Sequence, residues 1–132
     1  LAPADEKNPA VLNLKINLYS AAENWPAVRQ SARLLVKINP SDPQGWISLA
    51  FSTRRCANLR AARRILLQAV SLHPSEPVIS FNLACYEAQM GNMGQATAWL
   101  AIALALDPQC QEMSLLDPDL EPLREWFEQA RN

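Results

Sequence analysis

Three cysteines and one histidine are the side chains of this sequence best suited to chemistry. Cys56, Cys85 and Cys110 stand 29 and 25 residues apart. An odd number at such gaps suits neither a disulfide framework nor the short paired spacings of a zinc site. His73 is the only histidine and is caught between Leu72 and Pro74, so a His-based metal site or a Cys–His nucleophile pair would rest on one awkwardly held ring. Cys85 reads either as a reactive thiol on a helix surface or as a small buried apolar group, the commoner fate of a helical cysteine. The carboxylates Glu112, Asp117, Asp119, Glu121, Glu125 and Glu128 crowd toward the C-terminus, where solvation of a helix explains them without general acid–base work. The sequence has no Gly-rich phosphate loop and no serine elbow. The reading is a non-enzyme, with no catalytic residue, no metal and no cofactor.

Charge is more distinctive than any single residue. Residues 1 to 75 carry 10 Lys and Arg against 4 Asp and Glu, a net of +6, whereas residues 76 to 132 carry 2 against 9, a net of −7. Arg54, Arg55, Arg60, Arg63 and Arg64 concentrate the positive part. Three readings compete: a solvated surface that helps solubility and steering, head-to-tail self-association of a basic front with an acidic back, and RNA binding through the arginines. The last is disfavoured, because the basic segment has no aromatic platform beyond Phe51 and the whole chain is net acidic, at −1.

At 132 residues with 49% hydrophobic content, 3 Gly and 10 Pro, the chain is long enough for a core and neither disordered nor fibrous in composition. Its longest apolar run, "AWLAIALAL" at residues 98 to 106, falls far short of the ~20 residues that span a bilayer. No membrane helix is expected. Leu1 stands where an initiator Met is expected, which suggests an excised domain or a removed leader and leaves the compartment open. The unpaired thiols lean toward a reducing, cytoplasmic one. Residues 1–8, "LAPADEKN", lack the features of a signal peptide and read as a tail or linker remnant.

The elements that would position any site announce themselves by punctuation. "NPSDP" at residues 39 to 43 returns as "HPSEP" at 73 to 77, and Pro40, Pro74 and Pro108 are each 34 residues apart. Between them the apolar residues recur at helical spacing: Ile47, Ala50 and Phe51, then Leu59, Ala62, Leu66, Ala69 and Val70. Each period therefore holds two helices. Pro40 and its equivalents stop the second helix, and Asp42 caps the next, with Pro43 as its first residue. Gly91, in "MGNMGQA", breaks a helix so that the chain can turn.

The central unit carries Trp46, Leu49, Ala50, Ala62, Leu66, Ala69 and Pro74. The third repeats Leu83, Ala84, Ala96, Leu100, Ala103 and Pro108, and a more degenerate first unit shows Leu12, Ile16, Tyr19, Val28, Ala32, Leu35 and Pro40. In spacing and type this resembles the tetratricopeptide repeat. The small residues suit close helix approach. The resemblance implies an all-α solenoid of three antiparallel helix pairs, residues 9–42, 43–76 and 77–110, in a right-handed superhelix. The repeat domain runs over 9–116, and residues 117–132 read as a C-terminal capping helix with Asp119 as its cap. Leu120, Leu123, Trp126 and Phe127 form its apolar face, with Glu121, Glu125, Glu128 and Arg131 mostly opposite. Trp126 and Phe127 could instead insert in a partner.

What the resemblance implies for function is non-catalytic protein–protein interaction, a peptide or helix of a partner lying across the first helices of the pairs. The stripe that would face it includes Asn13 and Asn17, then Gln44, Ile47, Phe51 and Arg54, then Val78, Phe81 and Cys85. Ile47, Phe51, Val78 and Phe81 would make an exposed apolar strip of the sort that marks a binding surface, unless the chain's own tail covers it. The carboxylate clamp that some members direct at heat-shock chaperones is rejected: Asn17 fits it, but Asn13, Ser48 and Val78 stand where it needs Lys, Asn and Lys. The alternative is a structural spacer or oligomerisation unit of a longer protein, with its groove filled internally. The partner protein itself stays unidentified.

Overall fold

The computed structural model describes residues 6–131, without the side chain of Arg131. Residues 1–5 of the expected tail, and the Arg131 side chain expected on the polar face of the last helix, lie outside that description. Among the described residues there is no β-strand, and the chain forms eight α-helices. In order they are α1 Pro9–Ala21, α2 Trp25–Ile38, α3 Pro43–Cys56, α4 Leu59–Leu72, α5 Pro77–Gln89, α6 Met93–Leu106, α7 Cys110–Leu116 and α8 Glu121–Arg131; a 3-10 turn, Pro118–Leu120, leads into α8. None is long and apolar enough to cross a membrane. The helices fall into two compact units, residues 1–72 with α1–α4 and residues 73–132 with α5–α8.

The helices begin where the sequence period places a cap. The odd-numbered helices α1, α3 and α5 open on Pro9, Pro43 and Pro77, each preceded by a side chain that accepts a backbone N–H two residues on. Asn8 accepts from Ala10 at 2.8 Å, Asp42 from Gln44 at 3.0 Å and Glu76 from Val78 at 3.4 Å. The proline has no N–H to orphan, and the cap satisfies the next donor. The helices α2, α4 and α6 follow Asn24, Asn58 and Asn92. Asn24 accepts from the Ala27 N–H at 3.3 Å and Asn58 from Ala61 at 2.8 Å, while Asn92 instead donates its Nδ2 to Glu87 Oε1 at 3.1 Å.

The turn inside each pair falls at the same place in the period, but its residues and its conformation differ. Gly91 holds a φ of +84° and Glu23, two periods earlier, holds +55°, whereas Ala57 at the intermediate position has a φ of −126°. A side chain in the left-handed region costs roughly 1–2 kcal/mol, and glycine does not incur it. Glu23→Gly is therefore expected to stabilise the chain by about 0.5–1 kcal/mol once the extra freedom of an unfolded glycine is deducted. A thermal melt reads it directly: an unchanged or lower Tm would mean that Glu23 is not strained.

In the first unit α2 packs on both α1 and α3, and α3 packs on α4. Leu12, Ile16, Val28, Ala32, Leu35 and Leu49 form its buried cluster, edged by Tyr19, Trp25, Leu34, Val36 and Ile65. Ala50, Ala62, Leu66 and Ala69 are wholly buried too, the small residues where helices cross and the larger one in the space left over. At Gly45 α3 lies close against α2: an added Cβ would sit 3.2 Å from Leu35 Cγ. Trp46, at the start of α3, donates its Nε1–H to Pro40 O at 2.9 Å and ties the helix to the turn before it.

In the second unit α5 and α6 form the main pair. Nine of the thirteen residues of α5 are buried, so this helix is enclosed on most of its sides rather than along one stripe. The C-terminal segment differs from expectation in two ways. The cap is Asp117, which accepts the Asp119 N–H at 2.9 Å; Asp119 lies within the 3-10 turn, and α8 starts only at Glu121. Ahead of it stands α7, a short helix with no repeat signature. Arg124 of α8 fastens the two together, its Nη1 donating to Ser114 O at 2.9 Å and Asp117 O at 3.0 Å. Leu120 and Leu123 are buried as expected of a docking face, while Trp126 and Phe127 are exposed and meet edge to face, centroids 5.1 Å apart.

Candidate functional site

The first unit carries six of the residues expected to meet a ligand. On α1, Asn17 is exposed, and Asn13 is half-buried with its Nδ2 donating to Pro9 O at 3.0 Å, so its amide is partly committed to its own helix. On α3, Gln44 is exposed, Ile47 and Arg54 are half-buried, and Phe51 is 40% exposed. Phe51 is held from two sides. Trp25, the first residue of α2, meets it edge-on with centroids 5.4 Å apart, and the Arg55 guanidinium lies 3.5 Å from its centroid and 4.8 Å from that of Trp25. Arg55 also donates Nη1 to Phe51 O at 3.0 Å. Cation–π attraction and the hydrogen bond fix both side chains before any ligand arrives. The result is an ordered surface with apolar rings and a positive charge in one place.

Sequence reasoning placed Phe51 on a surface but missed its two companions. Arg55 was accessible to it, being four residues on and hence on the same helical face. Trp25 was not, because a contact between α2 and α3 leaves no mark in the spacing of either helix.

The second unit departs from the expected strip. Val78 is exposed, but Phe81 is only 2% exposed and Cys85 is buried likewise. Neither therefore lines an open surface. For Cys85 the cause is the chain's own tail: its thiol donates to Asp117 Oδ2 at 3.8 Å, and Gln89, one turn on, donates Nε2 to Asp119 O at 2.9 Å. Cys85, Asp117 and Asp119 bring one thiol and two carboxylates within 4.8 Å of one another, a juxtaposition that these tail bonds account for.

The remaining thiols divide by exposure. Cys56 is exposed and Cys110 buried. Burial, and secondarily the Asp107 carboxylate, push the Cys110 thiol above its ordinary pKa, since both disfavour a thiolate. Sequence reasoning also passed over Glu87, a carboxylate 1% exposed that accepts the Asn92 amide. Its signal was the period: Tyr19, Thr53 and Glu87 are 34 apart, a register at which Thr53 is fully buried as well.

No model of a known protein family matches the chain, and no curated protein matches its sequence. Solved structures do match. SycD, the type III secretion chaperone of Yersinia enterocolitica, in complex with a peptide of the translocator YopD, superposes with a TM-score of 0.71 at 19% identity, over 87% of this chain and 90% of its own. MamA gives a TM-score of 0.71 at 15% identity over 97% of this chain and 81% of its own. A mutant O-GlcNAc transferase of Thermobaculum terrenum gives 0.69 at 21% identity; it covers 82% of this chain, which spans 21% of the transferase chain. At such identities the likeness carries the fold, an all-α array of helix pairs of the tetratricopeptide type.

Proposed function

We propose that the chain is a member of the tetratricopeptide-repeat family, with units 9–42, 43–76 and 77–110, and that it is a non-catalytic module that binds an apolar or amphipathic peptide on its first unit. The observation that carries this is the Trp25–Phe51–Arg55 cluster, a partly exposed aromatic surface already fixed in place. Ile47 would extend its apolar area, and Asn13, Asn17, Gln44 and Arg54 would supply polar contacts to a ligand backbone. SycD, of like fold, was solved holding a peptide of another protein. In the second unit only Val78 remains as a contact; Phe81 and Cys85 serve the interior. That burial, with Asp117 against Cys85, favours a second reading for the second unit alone: it is a structural element whose own tail takes the place of a ligand.

The experiment is peptide-display panning against the wild type and a Phe51→Glu variant. Phe51 is exposed enough for the variant to fold, which circular dichroism checks; Phe81→Glu would bury a charge and test only folding. Peptides enriched on the wild type should lose at least about tenfold in affinity on the folded variant, which corresponds to about 1.4 kcal/mol. Equal retention on both would remove the first unit as the binding face, and no enrichment would favour the structural reading.

A further inference from the structure

The helices α2, α3 and α4 hold eight Lys and Arg and no Asp or Glu; the only carboxylate between them is Asp42, the cap of α3. Four of the cations form a pattern. Arg33 and Lys37 of α2, and Arg60 and Arg64 of α4, are one helical turn apart within each helix, and all four are exposed. Arg29 of α2, one turn before Arg33, is half-buried. The four lie away from the core, opposite Val28, Ala32 and Leu35 on α2 and Ala62, Leu66 and Ala69 on α4. The register is the same in both helices, because Val28, Ala32 and Leu35 recur 34 residues on as Ala62, Leu66 and Ala69. Both helices pack on α3, and Ile65 of α4 borders the same buried cluster as Leu34 and Val36 of α2. The two stripes therefore share one outer side of the first unit, related by the repeat.

A solvated helix face mixes the two signs, since opposite charges at i and i+4 support a helix and like charges there weaken it. These stripes do the reverse. Arg29, Arg33 and Lys37 repel one another in turn, as do Arg60 and Arg64, and Arg60 also stands in the first turn of α4, where the helix dipole disfavours a cation. No acidic residue lies within four positions of any of the four exposed cations. Local stability does not account for this pattern; an anionic partner does, because it relieves all of these repulsions together. We propose that the outer side of α2 and α4 binds an acidic segment of a partner polypeptide, on a surface separate from the aromatic one at Phe51 of α3. Carboxylates one helical turn apart match the spacing of the cations, and arginine holds a carboxylate with two parallel hydrogen bonds. Two other polyanions fit less well. Neither stripe carries an aromatic ring on which a base could stack. The apolar sides of α2 and α4 are taken up by the core, so neither helix has an apolar side to lay into an anionic bilayer.

Fluorescence anisotropy of a labelled helical peptide with Glu at i and i+4 tests this at about 0.15 M salt, where the Debye length is about 8 Å. The wild type should bind the peptide and release it as salt rises toward about 1 M. Arg33→Gln with Lys37→Gln, and Arg60→Gln with Arg64→Gln, should each weaken binding by about tenfold or more. All four positions are exposed, so circular dichroism should match the wild type, and Tm should be unchanged or higher because a like-charge pair is removed. Lys7→Gln with Lys15→Gln is the control: it removes the same charge away from the stripes and should leave binding within about twofold of the wild type. A wild type that leaves the peptide free, or stripe variants that hold it as the wild type does, would overturn the proposal. So would a control as weak as the stripe variants, which would reduce the effect to net charge. A single-stranded oligoribonucleotide and phosphatidylserine vesicles are measured alongside; tighter, stripe-dependent binding to either would overturn the proposal in favour of that polyanion.

Discussion

Leu35→Ala is expected to destabilise the first unit by about 3–5 kcal/mol, the upper range for a buried leucine. Leu35 is fully buried and belongs to the cluster that joins α1, α2 and α3. The consequence that separates this from a generic core deletion lies at Gly45. A Cβ there would meet Leu35 Cγ at 3.2 Å, Leu35 Cδ2 at 3.3 Å and Val36 Cγ2 at 3.4 Å. In the wild type, Gly45→Ala gains about 1 kcal/mol of helix propensity but must displace Leu35, and overpacking of that kind costs about 1–3 kcal/mol. Once Leu35 is alanine, the two closest atoms are gone and the new methyl fills part of the void. The double variant should therefore be more stable than Leu35→Ala alone by about 1 kcal/mol, although Gly45→Ala alone is neutral or harmful. Urea midpoints of the four proteins measure the coupling; effects that add within about 0.5 kcal/mol would mean that α2 and α3 are not close-packed at this point.

Leu123→Ala is expected to cost about 2–5 kcal/mol and to release the tail. Leu123 is the buried anchor of α8, and the polypeptide just before it supplies the Asp117 carboxylate that receives the Cys85 thiol. Thiol labelling resolved by mass spectrometry reads the release. In the wild type Cys56 should react first, because it is exposed, while buried Cys85 lags and Cys110 lags with its proton held on by burial and by Asp107. If opening of the tail becomes easier by about 3 kcal/mol, the open population and the Cys85 labelling rate should rise by about a hundredfold. A variant that loses stability while Cys85 stays as slow as before would show that the tail does not guard it.

The sequence by itself determined most of the local structure. Asp42 caps α3, Gly91 turns the chain after α5, and Leu49, Ala50, Ala62, Leu66, Leu83 and Ala84 are buried as the 34-residue pattern requires. Capping, turning and helical periodicity depend on residues within a few positions of one another, so they can be read without a fold. The periodic caps at Asn24 and Asn58 were equally legible, although only the helix bounds showed what they capped. Tertiary structure decided the rest. Apolar residues lie on nearly every side of α5, and periodicity cannot say which of several apolar faces meets protein and which meets water. The helical stripe therefore put Phe81 and Cys85 on the open strip, and both went inside. The shift of the cap from Asp119 to Asp117, the short α7, and the stacking of Trp25 and Arg55 on Phe51 all depend on where segments distant in sequence come to rest, and that is set by packing rather than by spacing.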